Sequence, residues 1–161
     1  MPAKLRIGMF SFTSCEGCFC KVLELLDQEH EKILALLEIK SARLIQKKSE
    51  IKDLDVAFVE GSIATSKDLE KLKEIRENSK KIILLGTCAT DGWPSTQRNN
   101  FSNARKSEIA LSVRKAGQLN EVLKPESIVK VDAKLFGCPI NNEQFKELLK
   151  QQFKEFGVKY A

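Results

Sequence analysis

The run Lys81-Ile82-Ile83-Leu84-Leu85-Gly86 constrains the fold more than any other stretch. Its interior is apolar at every position, without the alternation of a strand that has one wet face. A short continuous run of this kind is the mark of a strand covered on both sides, as in the middle of a parallel sheet. Parallel neighbours cannot be joined by tight hairpins, so crossover segments must stand between the strands. The rest of the chain supplies that alternation.

Leu5–Phe12 reads as the first strand. A helix follows from about Glu16 to Glu38, broken or turned near Asp27–Glu31, with Ile33, Leu34, Leu36 and Leu37 forming an apolar face. A short second strand is expected at Ala42–Gln46. Asp53-Leu54-Asp55 then turns into the buried strand Val56–Val59, which runs on into Glu60-Gly61-Ser62-Ile63. Ser66 is the expected N-cap of the next helix, with Asp68 in its first turn and Leu69, Leu72 and Ile75 recurring on one side. Asp91–Asn103 is the most irregular segment, and such segments in compact domains tend to be functional. Residues Ala104–Val122 read as a helix weakened by Gly117, and Ser127–Phe136 as the last strand. The final helix, Asn141–Phe156, sets Phe145, Leu148, Leu149 and Phe153 on one face beneath an Asn141 or Asn142 cap. The order is βαβαβαβαβ. Right-handed crossovers fold such an order into three layers, α/β/α, as a flavodoxin-like doubly wound parallel sheet. The chain has 161 residues with no repeat or linker, which predicts a single domain over 1–161.

A composition of 42% hydrophobic and 30% charged residues excludes disorder. No apolar run approaches the roughly 20 residues of a membrane-spanning helix, so no direct membrane span is expected. Met1-Pro2-Ala3-Lys4 leads straight into a strand with no room for a signal peptide or twin-arginine leader, and a cytoplasmic protein is expected. The net charge of +5 comes from lysines interleaved with glutamates, densest at Lys47-Lys48 and Lys80-Lys81. That is a solvated surface, and no nucleic-acid partner is expected. His30, within Asp27-Gln28-Glu29-His30-Glu31, reads as an exposed helix residue and not a ligand. Trp93 fits a subunit interface or a loop anchor equally well.

The chemistry lies in the cysteines. Cys15 and Cys18 form a Cys-x-Gly-Cys turn between the first strand and the first helix. Cys88 and Cys138 likewise follow directly on apolar runs. In a parallel sheet all these turns lie at the carboxyl ends of the strands, where ligands bind, so residues remote in sequence can converge. Four thiolates meeting at one point ask for a metal, and a cubane 4Fe–4S cluster takes four cysteines. Gly17 would let the backbone curl so that both thiols face one way, and amides at the helix start would point at the cluster. Gly86 and Gly137 would leave room beside it. Pro139 would cap the last turn and remove a competing amide. Two other readings stand: a four-thiolate zinc site, or a thioredoxin-like dithiol at Cys15 and Cys18 with Cys88 and Cys138 as core thiols. Cys20, on the first helical turn, is expected to be a buried spectator.

Cys15-x-Gly17-Cys18, Val59-Glu60-Gly61-Ser62, Gly86-Thr87-Cys88-Ala89 and Gly137-Cys138-Pro139, in that order, resemble the small subunit of nickel–iron hydrogenases. More widely they resemble the related small iron–sulfur subunit of respiratory NADH:quinone oxidoreductase. The resemblance covers nearly the whole chain and implies that Cys15, Cys18, Cys88 and Cys138 ligate one proximal 4Fe–4S cluster. It also implies a nickel–iron centre on a partner large subunit, and electron relay to a further redox subunit carrying flavin or iron–sulfur. Glu60 matches the family's Glu-Gly and is expected to hydrogen-bond near the cluster. Gly17, Gly86, Thr87 and Pro139 are expected around it. Gln97-Arg98-Asn99 resembles a stretch following the third cysteine in cytosolic members. The spaced Cys-x-Gly-Cys departs from the adjacent cysteines of the respiratory subunit and favours hydrogenase over that alternative. Glycine at position 17, where oxygen-tolerant membrane hydrogenases carry an extra cysteine, implies an ordinary cubane. No cysteine follows Cys138, so the two-cluster C-terminal domain of longer hydrogenase small subunits is expected to be absent. The chain is then an oxidoreductase subunit, not catalytic alone.

Overall fold

In the computed structural model, residues 4–42 and 50–160 are described. Five parallel strands form the central sheet: β1 (Leu5–Ser11), β2 (Leu37–Ala42), β3 (Leu54–Glu60), β5 (Ser79–Leu85) and β7 (Ala133–Leu135), in the spatial order β2-β1-β3-β5-β7. Counting only those five strands, the order is 2-1-3-4-5, the flavodoxin-like arrangement, with its switch point between β1 and β3. A separate antiparallel pair, β4 (Ile63–Thr65) with β6 (Gln118–Leu123), lies outside this sheet.

The apolar run at Lys81–Leu85 falls in β5, and its Ile82, Ile83, Leu84 and Leu85 are fully buried. Side chains alternate between two cores because successive residues of a strand point to opposite faces. On one face Met9, Val56, Phe58, Ile83 and Leu85 pack with α1 (Gly17–Gln28) and α5 (Asn142–Glu155) through Phe19, Val22, Phe145 and Phe153. On the other, Phe10, Ala57, Val59, Ile82 and Leu84 pack with Leu72 and Ile75 of α2 (Ser66–Glu77). Two cores separated by one sheet make the three expected layers.

Several boundaries differ from those expected of the sequence. The expected Glu16–Glu38 helix stops as α1 at Gln28, within the expected break at Asp27–Glu31, but beyond the break come a short 3-10 turn at Leu34–Leu36 and β2 in place of more helix. Leu37, Ser41 and Ala42 are buried because β2 pairs with β1. A run with mixed periodicity was claimed by the sheet. Of the expected strand Ala42–Gln46, Ala42 ends β2 and residues 43–46 lie outside the described ones, as does Lys47-Lys48. The cap of α2 is Thr65, one residue before Ser66. Its Oγ1 accepts from the Asp68 amide at 3.1 Å while Asp68 accepts from the Thr65 amide at 3.0 Å, a reciprocal capping box. The expected helix Ala104–Val122 ends at Lys115 as α4 (Asn103–Lys115), because Gly117 takes a left-handed φ of 65° and β6 follows. Only Ala133–Leu135 of the expected strand Ser127–Phe136 pairs with the sheet. Among the described residues no helix is long and apolar enough to cross a membrane.

Candidate metal centre at the carboxyl edge of the sheet

The carboxyl ends of β1, β3, β5 and β7 deliver, respectively, the Cys15/Cys18 turn, Glu60, the short helix α3 (Gly86–Thr90) bearing Cys88, and the Gly137-Cys138-Pro139 turn. Three contacts draw these turns together. The Gly137 carbonyl accepts from the Thr87 amide at 2.8 Å and from Thr87 Oγ1 at 3.1 Å, binding the Cys88 turn to the Cys138 turn. The Ile140 amide donates to Cys18 Sγ. Glu60 accepts from the Cys18 amide at 3.3 Å and the Phe19 amide at 3.0 Å, binding the end of β3 to the start of α1.

Glu60 therefore caps α1 from a distant strand. Residue Glu16, in the N-cap position, has a left-handed φ of 60° and its side chain makes no cap hydrogen bond. The amides of Cys18 and Phe19 would otherwise be buried without partners. Two sequence expectations change here. The backbone curls at Glu16, while Gly17 is the first helical residue. The helix-start amides at Cys18 and Phe19 point at a carboxylate of the chain itself, and so are not free for a cluster.

Close approach explains two glycines. A Cβ on Gly86, which has φ 79°, would overlap Cys18 Sγ and stand 3.3 Å from the Gly137 carbonyl. A Cβ on Gly17 would stand 3.3 Å from Cys15 Sγ and 4.0 Å from the Pro139 ring. Pro139 thus packs beside the first turn. The thiols differ in exposure: Cys18 is buried, Cys88 half-buried, and Cys15 and Cys138 exposed.

The local electrostatics are one-sided. Burial pushes the Cys18 thiol up to about 12, and the charges of Glu60, Cys88 and Cys15 push the same way against the Ile140 hydrogen bond. Burial also raises Cys88, reinforced by Cys15, Cys138 and Glu60. Burial raises Glu60 itself, while the Phe19 and Cys18 amides pull it back. Cys15 and Cys88 act on Cys18, and Cys15 and Cys138 act on Cys88, so the four cysteines share one edge of the domain. A bound cation inverts this local logic and makes coordinating thiolates the stable form.

Among the described residues no three His, Cys, Asp or Glu side chains converge closely enough to hold a single metal ion. Four cysteine sulfurs along this edge are the donor type that an iron–sulfur cluster takes.

Of the remaining candidates, Cys20 is exposed on α1 and does not join the group, which corrects its expected burial. His30 is exposed, as expected, but stands in the turn after α1 and not on a helix, with Nδ1 3.1 Å from the Asp27 carbonyl. Gln97-Arg98-Asn99 has a structural task that the sequence did not reveal. Arg98 donates to the carbonyls of Leu119 and Asn120, and Asn99 exchanges two hydrogen bonds with the backbone of Val122, so both hold β6 in place. Trp93 is 54% exposed and does not anchor its own loop in the core.

The fold and the thiol group define a doubly wound α/β protein whose ligand-binding edge is lined with sulfur. The chain belongs to the family of the 20 kDa subunit of NADH ubiquinone oxidoreductase, which it matches over residues 15–152. It is 32% identical over 146 residues to sulfhydrogenase 2 subunit delta of Pyrococcus furiosus, covering 90% of this chain and 60% of that one. It is also 32% identical, over 102 residues, to the NAD-reducing hydrogenase HoxS subunit delta of Cupriavidus necator, covering 61% and 46%. The chain thus spans about half to three-fifths of the length of these hydrogenase subunits. The solved NAD+-reducing NiFe-hydrogenase in its H2-reduced state contains a chain with the same fold, at a TM-score of 0.77 and 23% identity over 98% of this chain and 94% of that one.

Proposed function

We propose that this chain is the electron-transfer subunit of a nickel–iron hydrogenase, with Cys15, Cys18, Cys88 and Cys138 holding one 4Fe–4S cluster. The observation that carries the reading is the gathering of these four thiols, from three strand ends, beside a glycine whose missing Cβ makes room for Cys18. The hydrogenase relatives supply the reaction class, and the partner is a large subunit bearing the nickel–iron centre. When bound, the cluster supplies one-electron transfer between that centre and a further redox subunit.

The chain's own residues prepare the site. Glu60 fixes the first turn by capping α1, and Thr87 with the Gly137 carbonyl fixes the other two turns against each other. Cys18 lies inside while Cys15 and Cys138 reach the surface, so the site opens toward a neighbouring subunit. Within residues 1–161 the chain acts as one domain with one cluster, in a cytoplasmic assembly or one peripheral to a membrane.

Co-expression with the large subunit and iron–sulfur assembly machinery tests the reading. A brown complex with about four irons per chain and a cluster resonance after reduction is expected, and Cys88→Ser or Cys138→Ser should remove both. A colourless chain with stoichiometric zinc overturns it. A dithiol protein would keep its activity when Cys138 is replaced. A complex that reduces quinone without consuming hydrogen would place the chain in the respiratory-type branch of the same family.

A further inference from the structure

α4 has no buried residue, although it carries Ala104, Ile109, Ala110, Leu111 and Val113. Leu111 is 53% exposed, and Phe101, just before the helix, is 37% exposed. Isolated helices of this length are marginal in water, and most helices in proteins depend on packing an apolar face. The Ser102 cap, accepting from the Arg105 amide at 3.3 Å, supports one end only.

Between α4 and β6 runs a groove of about 380 Å³, whose apolar wall includes Ile109, Ala110 and Val113. Both charged residues lining it, Arg98 and Lys106, are cations. The Arg98 guanidinium donates to the carbonyls of Leu119 and Asn120. Burial pulls its pKa down, with no carboxylate acting on it. Along α4 the cations Arg105, Lys106, Arg114 and Lys115 face a single acid, Glu108, and Arg105 takes that acid at 2.7 Å. Among the described residues, Lys106, Arg114 and Lys115 have no ion-pair partner.

An apolar centre rimmed by charge of one sign is the anatomy of a protein interface, and the sign selects the partner. We infer that α4 and its groove dock a carboxylate-rich surface of a partner polypeptide, with the wall of Ile109, Ala110 and Val113 covered by that partner's apolar side chains. A second copy of this chain is disfavoured, because it would bring the same cations together. A nucleic-acid strand would leave the apolar wall without a partner. The inference rests on the reading of the chain as one subunit of a larger oxidoreductase, and it names the face that meets an acidic neighbour.

The test compares the full chain alone with the complex isolated through a tag on this chain. Lysine acetylation and amide hydrogen exchange are measured in both. In the complex, Lys106, which lines the groove, should be acetylated at least about tenfold more slowly, and amides 103–115 should exchange at least about tenfold more slowly. Carbodiimide coupling should join Lys106 to an Asp or Glu of a co-purifying subunit. The double variant Lys106→Glu/Arg114→Glu should weaken assembly about tenfold or more at low salt and less at high salt, since exposed charges are screened. Equal labelling of α4 in the free chain and in the iron-containing complex overturns the inference. So does protection that appears with dimerisation of the chain alone, or that follows addition of a single-stranded oligonucleotide in place of the partner. Iron content is read on the same samples. Loss of iron with α4 still protected fails the cluster reading and spares the docking face, and the converse result does the opposite.

Discussion

The two ends of the central sheet solve the problem of buried charge in opposite ways. At the amino end, Asp55 on β3 is 5% exposed and fully answered. It accepts from the Arg6 amide at 3.0 Å, from the Arg6 guanidinium at 3.1 and 2.9 Å, and from Lys80 Nζ at 2.8 Å. Burial would raise its pKa, yet Arg6 and Lys80 prevail and hold it down at about 2. At the carboxyl end, every charge acting on Cys18 and Cys88 has the same sign as their thiolates. One end is electrostatically complete within the chain. The other is built so that a positive group from outside completes it, which is the physical content of the proposed cluster site.

The largest expected effect separates the ends by pH. Metal-free, reduced chain should lose stability in alkali. Cys18 has a folded pKa of about 12 against an ordinary value of 9.0, so its neutral thiol supports the fold below about pH 9 and that support disappears as pH rises toward 12. The span of about three units corresponds to about 4 kcal/mol. Urea titrations at pH 8 and pH 11 should show about 2–3 kcal/mol of this loss, and Cys18→Ser should reduce it to the share left by Cys88, whose thiol is also raised. A cluster-loaded chain should not behave this way, because coordination replaces the proton.

Gly86→Ala should break the carboxyl end mechanically. It adds left-handed strain and a clash with Cys18 Sγ, together about 3 kcal/mol, and iron content should fall with the melting temperature. Glu60→Ala comes next. It strips the Cys18 and Phe19 amides of their acceptor and should cost about 2–3 kcal/mol in chemical denaturation of the metal-free chain.

Asp55→Asn probes the amino end. The folded pKa of Asp55 lies below its unfolded value of 3.8, so its contribution is present above about pH 4 and lost as pH falls toward 2. The variant should be about 2 kcal/mol less stable at neutral pH, and its stability should change less than that of the parent between pH 4 and pH 2. Iron content should remain unchanged. The smallest effect is a gain: Glu16→Gly should relieve the left-handed residue before α1 and stabilise the chain by about 0.5–1 kcal/mol, seen as a small rise in melting temperature.

All four ligand candidates stand just past strand ends, where the sequence puts them. A continuous apolar run followed by Gly-Thr-Cys or Gly-Cys-Pro is a local pattern, and parallel strands bring their ends to one edge. The β4–β6 pair was not legible, because Ile63–Thr65 is too short to show periodicity and Gln118–Leu123 looks like the tail of a helix. The tasks of Arg98 and Asn99 were equally hidden, since hydrogen bonds to the backbone of β6 leave no mark in residue spacing.

What the sequence determined by itself was the layered α/β/α plan, through burial periodicity, and the placing of the four cysteines past strand ends, through their position after apolar runs. Both are properties of neighbouring residues. Only the tertiary structure decided that Glu60 caps α1, that Gly86 must lack a side chain because Cys18 lies against it, and that α4 stands without cover. Each depends on residues far apart in the chain that meet only when the crossovers set the order of the strands, and no local pattern encodes that meeting.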